Sequence, residues 1–232
     1  MLEEPLFWIF VLPGLFLGLY AQGRIRINVA KYSQLQTRDG ITGAQVAREL
    51  LDSQGLRKVS VESTPGLLSD HYDPGSKTLR LSQEVYFTPS VAAAGIAAHE
   101  AGHALQDAVN YFPLTARTYI VPLVQLASQT APWLFIAGLM LDFPTLAWVG
   151  VILFGSSALF ALITLPVEFN ASARAQELLT RYGIIRGDEQ IAGVRKVLGA
   201  AAWTYVAAAV SAIGIWLFYV FLLLSRSITD RR

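Results

Sequence analysis

Two of the chain's three histidines stand four residues apart, in His99-Glu100-Ala101-Gly102-His103. Residues four apart on an α-helix lie one turn above each other, so both imidazoles can reach one divalent ion while Glu100 points beside them at a water on that ion. That is the residue pattern of zinc-assisted hydrolysis, with the carboxylate as proton acceptor. Cysteine is absent, which removes disulfides, thiol nucleophiles and thiolate metal sites, so any metal must be held by His, Asp or Glu. The small residues Ala101, Gly102 and Ala104 would let another helix come close to the metal.

Catalytic zinc takes three protein ligands and leaves a fourth position for water. Two residues compete to be the third ligand. Glu168 stands where a long apolar run ends and opens the polar stretch Glu168-Phe169-Asn170-Ala171-Ser172-Ala173-Arg174. A carboxylate near the water interface costs less than one at mid-bilayer and is expected to have a partner. Its plainer reading is a glutamate at a helix start, favoured by the dipole. His71, in Ser69-Asp70-His71-Tyr72-Asp73, is the rival ligand, or else a loop histidine bonded to a neighbouring Asp.

The elements that must position these groups follow from composition. The chain of 232 residues is 53% hydrophobic and 15% charged, against roughly 25% charged in a soluble domain. Four apolar runs, 5–21, 119–141, 143–167 and 201–224, are each long enough to cross a bilayer as a helix. The first reads as a retained anchor, because Glu3 and Glu4 precede it where a secretory signal carries positive charge. Pro13, Pro122 and Pro132 inside the runs are tolerable where neighbouring helices re-satisfy the freed carbonyls. Arg24, Arg26 and Lys31 follow the first run, so the positive-inside rule puts the N-terminus outside and segments 22–118 and 168–199 in the cytoplasm. Those segments carry 10 and 5 of the 18 basic residues, and the tail carries the remaining 3, Arg226, Arg231 and Arg232. A net charge of +1 offers no field to recruit nucleic acid.

Within 22–118, Thr42 can cap a helix from Gly43 to about Gln54, with Val46, Leu50 and Leu51 on one face and Gly55 as a stop. Alternation predicts strands at 58–62 and 78–82, with a turn at Asp73-Pro74-Gly75-Ser76 between them. From Ser90 to about Ala108 the chain is Ala-rich and helical. The expected fold is thus a mainly α-helical integral membrane protein, four transmembrane helices with a small α+β zincin-like cytoplasmic insert. Its expected divisions are an anchor (1–22), the insert (23–118), two membrane helices (119–167), cytoplasmic helices bearing the third ligand (168–200), and a last membrane helix with tail (201–232).

Several further stretches carry a resemblance. Thr42-Gly43-Ala44, Asp70-His71-Tyr72-Asp73-Pro74, Leu79-Arg80-Leu81-Ser82, the His99–His103 motif, Pro166-Val167-Glu168-Phe169-Asn170-Ala171-Ser172 and Ala200-Ala201-Ala202-Trp203-Thr204-Tyr205-Val206-Ala207-Ala208, in that order, resemble the YugP-type bacterial membrane zinc metallopeptidases. These are distant relatives of the HtpX and CAAX-prenyl membrane proteases. The resemblance implies a gluzincin-like ligand set of His99, His103 and Glu168, zinc as cofactor, and endopeptidase activity. The wider clan usually has an Asp four residues after the ligand Glu, where this chain has Ser172. The orienting contacts here are therefore expected to differ, with Asn170 or Arg174 taking the role.

With that ligand set, zinc would lower the pKa of its water towards roughly 7, and Glu100 would take the proton as the water attacks a peptide carbonyl, then pass it to the leaving amine. An oxyanion donor is also needed, and His71, Tyr72, Arg174 or Tyr205 could supply it. The 78–82 strand reads as an exposed edge on which an extended peptide substrate adds. Partners are then a protein or peptide substrate and the lipid bilayer of a bacterial plasma membrane. An intramembrane site-2-type protease is a second reading, but the run 91–98 before the motif is too short and too Ala-rich to span. A metal-binding scaffold or transporter subunit is a third, and a structural or transported ion does not require Glu100 between the histidines. The charged residues between Glu177 and Lys196 read as solvated faces of two helices broken near Gly183 and Gly187.

Overall fold

The computed structural model describes residues 5–37 and 39–229, the side chains of 226–229 excepted. In chain order its elements are α1 (Pro5–Tyr32), α2 (Gly43–Ser53), β1 (Ser60–Thr64), β2 (His71–Asp73), β3 (Thr78–Ser82), α3 (Gln83–Phe87), α4 (Val91–Ala108), α5 (Phe112–Met140), α6 (Pro144–Arg181) and α7 (Gly187–Thr229). The four apolar runs lie in α1, α5, α6 and α7, each long and apolar enough to cross a membrane. Of the most apolar 18 residues in each, only 11% to 28% are buried, and Ile9, Phe16, Leu123 and Ile152 are exposed. Apolar surface on that scale belongs in lipid. The chain is a multi-pass membrane protein.

These helices outrun the apolar runs that predicted them. α6 passes through Pro166 and Glu168 to Arg181 without a break, because the polar stretch after 167 is made of good helix formers and contains no glycine. Glu168 therefore sits inside a helix, and no new helix starts there. The expected interruption follows, where Gly183 (φ +66°) and Gly187 (φ +75°) adopt left-handed backbone.

The chain divides into two compact units. One holds residues 1–20, 116–165 and 203–232, and the described parts of these are helical apart from the turn at 141–143. Its helices approach closely through small residues: a Cβ at Gly214 would stand 2.2 Å from the Phe10 carbonyl oxygen, so only glycine lets α7 meet α1 there. Trp216 Nε1 donates to the Val151 carbonyl at 3.2 Å, tying α7 to α6.

The other unit holds residues 21–115 and 166–202. Thr42 caps α2 as predicted: its side chain accepts from Gln45 N, and Gln45 Oε1 accepts from Thr42 N at 2.8 Å. Val46, Ala47, Leu50 and Leu51 of α2 are fully buried in a core shared with α4, β3 and the C-terminal turns of α6. The sheet order is β1-β3-β2, with β1 parallel and β2 antiparallel to β3. β1 starts two residues later than its alternation predicted, and His71 lies on a strand. The reading of 78–82 as an exposed edge is wrong. β3 is the central strand, with Leu79 and Leu81 buried on one face and Thr78 and Ser82 on the other; a strand buried on both faces and paired on both sides has no free edge for a substrate.

Candidate metal centre

α4 carries the motif and lies in the core of its unit. Ser90 starts it, its hydroxyl accepting from Ala93 N at 3.1 Å, and 14 of the helix's 18 residues are buried. The Ala-rich sequence leaves room for close neighbours, and α6 is one of them. A Cβ at Gly102 would fall 2.8 Å from the Ala171 carbonyl oxygen and 3.2 Å from Ala171 Cα. Gly102, one of the motif's two intervening residues, is thus where α6 crosses α4. Glu168, one turn before that crossing on α6, and Ser172, the residue just after it, both reach the imidazoles.

The rings of His99 and His103 have centroids 4.7 Å apart and meet edge to face. His99 Nε2 is 3.2 Å from His103 Nε2 and 3.1 Å from Glu168 Oε2, which is 3.5 Å from His103 Nε2. Ligand atoms about 2.0–2.1 Å from a tetrahedral zinc ion stand about 3.3–3.4 Å from one another. The three observed separations bracket that edge length. His99, His103 and Glu168 form a group that could hold a metal ion. Glu168, 2% exposed, is the carboxylate of the group, and Glu100, which follows His99 on α4, is buried too and its charge acts on His103.

The outer nitrogens of both rings are engaged. His99 Nδ1 lies 3.1 Å from the Ser172 hydroxyl, the position at which the wider clan usually has Asp. His103 Nδ1 lies 3.0 Å from Gln106 Oε1. The Gln106 amide is fixed: its Nε2 donates to the Val167 carbonyl at 2.7 Å and to Asn170 Oδ1 at 3.0 Å. Asn170 is fixed in turn, because its Oδ1 also accepts from Arg174 Nε at 2.8 Å, and an arginine nitrogen can only donate. Gln106 Oε1 must then accept, so His103 carries its proton on Nδ1 and presents a bare Nε2 to its neighbours. Lone pairs of two imidazoles and a carboxylate converging at these distances repel unless a cation or proton lies among them. Burial works against a charged His103 ring, but a second proton, taken up at Nε2 and donated to the Glu168 carboxylate, together with the charge of Glu100, outweighs it and raises that imidazole above the ordinary histidine range.

The sequence-predicted residues are thus gathered unequally. His99, His103 and Glu168 meet. His71 is exposed on β2, its Nδ1 2.8 Å from the Ser69 carbonyl, and is not in the metal-capable group. Arg174 reaches Asn170, and through it Gln106. Tyr72 donates to Asp107 Oδ2 at 2.7 Å, which pins β2 to α4 one turn beyond His103. Burial and that same carboxylate hold the Tyr72 hydroxyl well above the ordinary tyrosine range, keeping it a donor. Gln106, 0% exposed, was not singled out by sequence reasoning. Its trace was present: a polar residue three positions after His103 lies close to the motif's face of the helix, and where that face is buried it must find partners.

Comparison with known proteins gives the same direction. The family described as "Putative neutral zinc metallopeptidase" matches residues 7–225. The "Putative membrane protease YugP" of Bacillus subtilis (strain 168) is 45% identical over 220 residues, covering 95% of this chain and 97% of that protein. No solved structure matches the chain.

Proposed function

Because the chain belongs to this family of neutral zinc metallopeptidases, we propose that it is a membrane-embedded, zinc-dependent endopeptidase with its active site at the cytoplasmic face of a bacterial plasma membrane. The unit around α4 and the sheet then acts as a zincin-like insert, and the ligands are the gluzincin-like set His99, His103 and Glu168. One observation carries this reading: three donor atoms at the edge length of a zinc tetrahedron, with a buried carboxylate, Glu100, next to them. The orientation rests on the excess of Lys and Arg in 22–118.

Bound there, zinc supplies Lewis-acid polarisation of a water and of the peptide carbonyl. Glu100 accepts the proton of the attacking water and returns it to the leaving amine. Gln106 holds His103 with its inner nitrogen bare, and Ser172 holds the His99 ring by its outer nitrogen. His71, the exposed member of the expected donors, is assigned to the developing oxyanion. Arg174 keeps Asn170 and hence Gln106 in orientation.

The test is metal content with casein or peptide cleavage for purified wild type, Glu100→Gln and Glu168→Ala. Glu100→Gln should keep about one zinc per chain and lose turnover by 10²–10⁴-fold, the usual worth of a general base. Glu168→Ala should lose zinc. Equal turnover in wild type and Glu100→Gln sinks the enzyme reading, and loss of zinc in His71→Ala but not in Glu168→Ala moves the third ligand to His71.

A further inference from the structure

One face of α4 continues from the candidate metal group into an apolar groove. Helix residues advance 100° each, so Ala92, Ile96, His99 and His103 fall within about 60° of arc. Ala92, Ala93 and Ile96 form one wall of a cavity of about 410 Å³, Val29 of α1 belongs to another, and Leu67 and Leu68 stand at its rim. Ile96 precedes His99 by three residues and Ala92 by seven, so at 1.5 Å of rise per residue the groove extends from roughly 5 Å to roughly 10 Å along the helix from His99. An extended peptide advances about 3.3 Å per residue. The groove therefore sits one to three residues away from a bond held at the metal group.

The rim adds an independent observation. Leu67 is 81% exposed and Leu68 60%, and Leu68 has φ +53°, left-handed backbone that leucine rarely adopts. The Ser69 hydroxyl secures this turn, 3.1 Å from the Pro65 carbonyl and 3.2 Å from that of Gly66. Strained backbone at Leu68, beside the exposed Leu67 at the mouth of an apolar groove, is a feature found at ligand clamps. Arg26 and Glu84, also lining the cavity with Ser33, Ser82 and Ser90, contribute one charge of each sign, so the lining residues carry no net charge.

We propose that this groove is a specificity subsite that takes a bulky apolar side chain, of leucine or phenylalanine size, one to three residues from the scissile bond of a peptide substrate. Its volume falls in the range of small-ligand sites, roughly 300–1,000 Å³. The proposal rests on the peptidase reading above. Continuity with the metal group along one helix face favours a substrate side chain over a lipid chain.

The experiment uses the zinc-loaded full chain in nanodiscs and peptides carrying Ala, Leu, Phe or Trp in turn at three positions on each side of the cleaved bond. Wild type should show kcat/KM at least about tenfold higher for Phe than for Ala at one of those positions. Ala93→Leu, which narrows the groove, should bring that ratio to about one. Ile96→Ala, which widens it, should move the optimum to Trp. The double variant Leu67→Ser/Leu68→Asn alters only exposed side chains, and Asn tolerates the left-handed backbone at 68; it should lower the ratio with zinc content unchanged, and it decides the matter where a core variant fails to fold. Flat preference in wild type, or a ratio untouched by the double variant, overturns the subsite while leaving the peptidase reading intact. A change in co-purifying lipid with the cleavage ratio unaltered gives the groove to an acyl chain and overturns it as well. Zinc-loaded wild type that cleaves no peptide overturns both.

Discussion

Replacing Gln106 by Met isolates the force that orients His103. Methionine has nearly the same length and shape but neither accepts from His103 Nδ1 nor donates to Val167 and Asn170, whose bonds to Gln106 are 2.7 and 3.0 Å. In a site where Gln106 is 0% exposed, no bulk water replaces the lost acceptor. The His103 ring is then free to rotate or to move its proton to Nε2, the nitrogen that faces His99 and Glu168. Contacts of this kind are typically worth 10–100-fold in metal affinity, about 1.4–2.7 kcal/mol. The fold should weaken separately by about 1–3 kcal/mol for a buried group left unpaired. The two effects are separable. Zinc affinity is read by competition with a chromophoric chelator, and fold stability by denaturant unfolding of the metal-free protein. ¹⁵N shifts of labelled histidine report which nitrogen of His103 holds the proton. Asn170→Asp serves as control, because a carboxylate still accepts from both Gln106 and Arg174, and it should bind zinc within about threefold of wild type. Zinc affinity of Gln106→Met within twofold of wild type, with the His103 proton still on Nδ1, would refute the chain of reasoning from Arg174 to the imidazole.

Other outcomes follow from the same geometry. Gly102→Ala places a methyl 2.8 Å from the Ala171 carbonyl oxygen, so it should destabilise the fold by about 1–3 kcal/mol, as overpacking does, and weaken zinc binding by moving Glu168; both are read on one purified variant. Ser172→Ala removes the contact at His99 Nδ1 and should weaken zinc roughly tenfold, whereas Ser172→Asp should restore or tighten it, with chelator competition as the measure. Zinc added to the stripped protein at about 1,000 times its Kd should raise stability by about 4 kcal/mol; a melting curve unmoved by zinc would mean that the ion does not bind the folded state.

The parts of the site legible in the sequence were those set by helical period and composition. The His99–His103 spacing, the cap at Thr42, the Ala-rich helix and the four apolar runs all express local rules, and the structure contains each of them. The small residues of the motif anticipated a close helix, and the Gly102–Ala171 approach is that contact. What stayed hidden depends on neighbours distant in sequence. The strand at 78–82 alternates like an edge strand, yet its place in the middle of the sheet is set by β1 on one side and β2 on the other. Nor does local sequence tell that Arg174 reaches Asn170, or that Gln106 accepts from His103, because amide orientation is decided only once α4 and α6 are packed.

Glu168 of the proposed ligand set follows His99 by 69 residues and His103 by 65, and α5 with the first 24 residues of α6 lies between them. A ribosome that has released the chain only as far as residue 165 has delivered both histidines and withheld the glutamate. Cation capture, and with it any capacity to cut neighbouring polypeptides, must wait until the intervening helical hairpin has been synthesised and inserted. Biogenesis itself then serves as the safety catch.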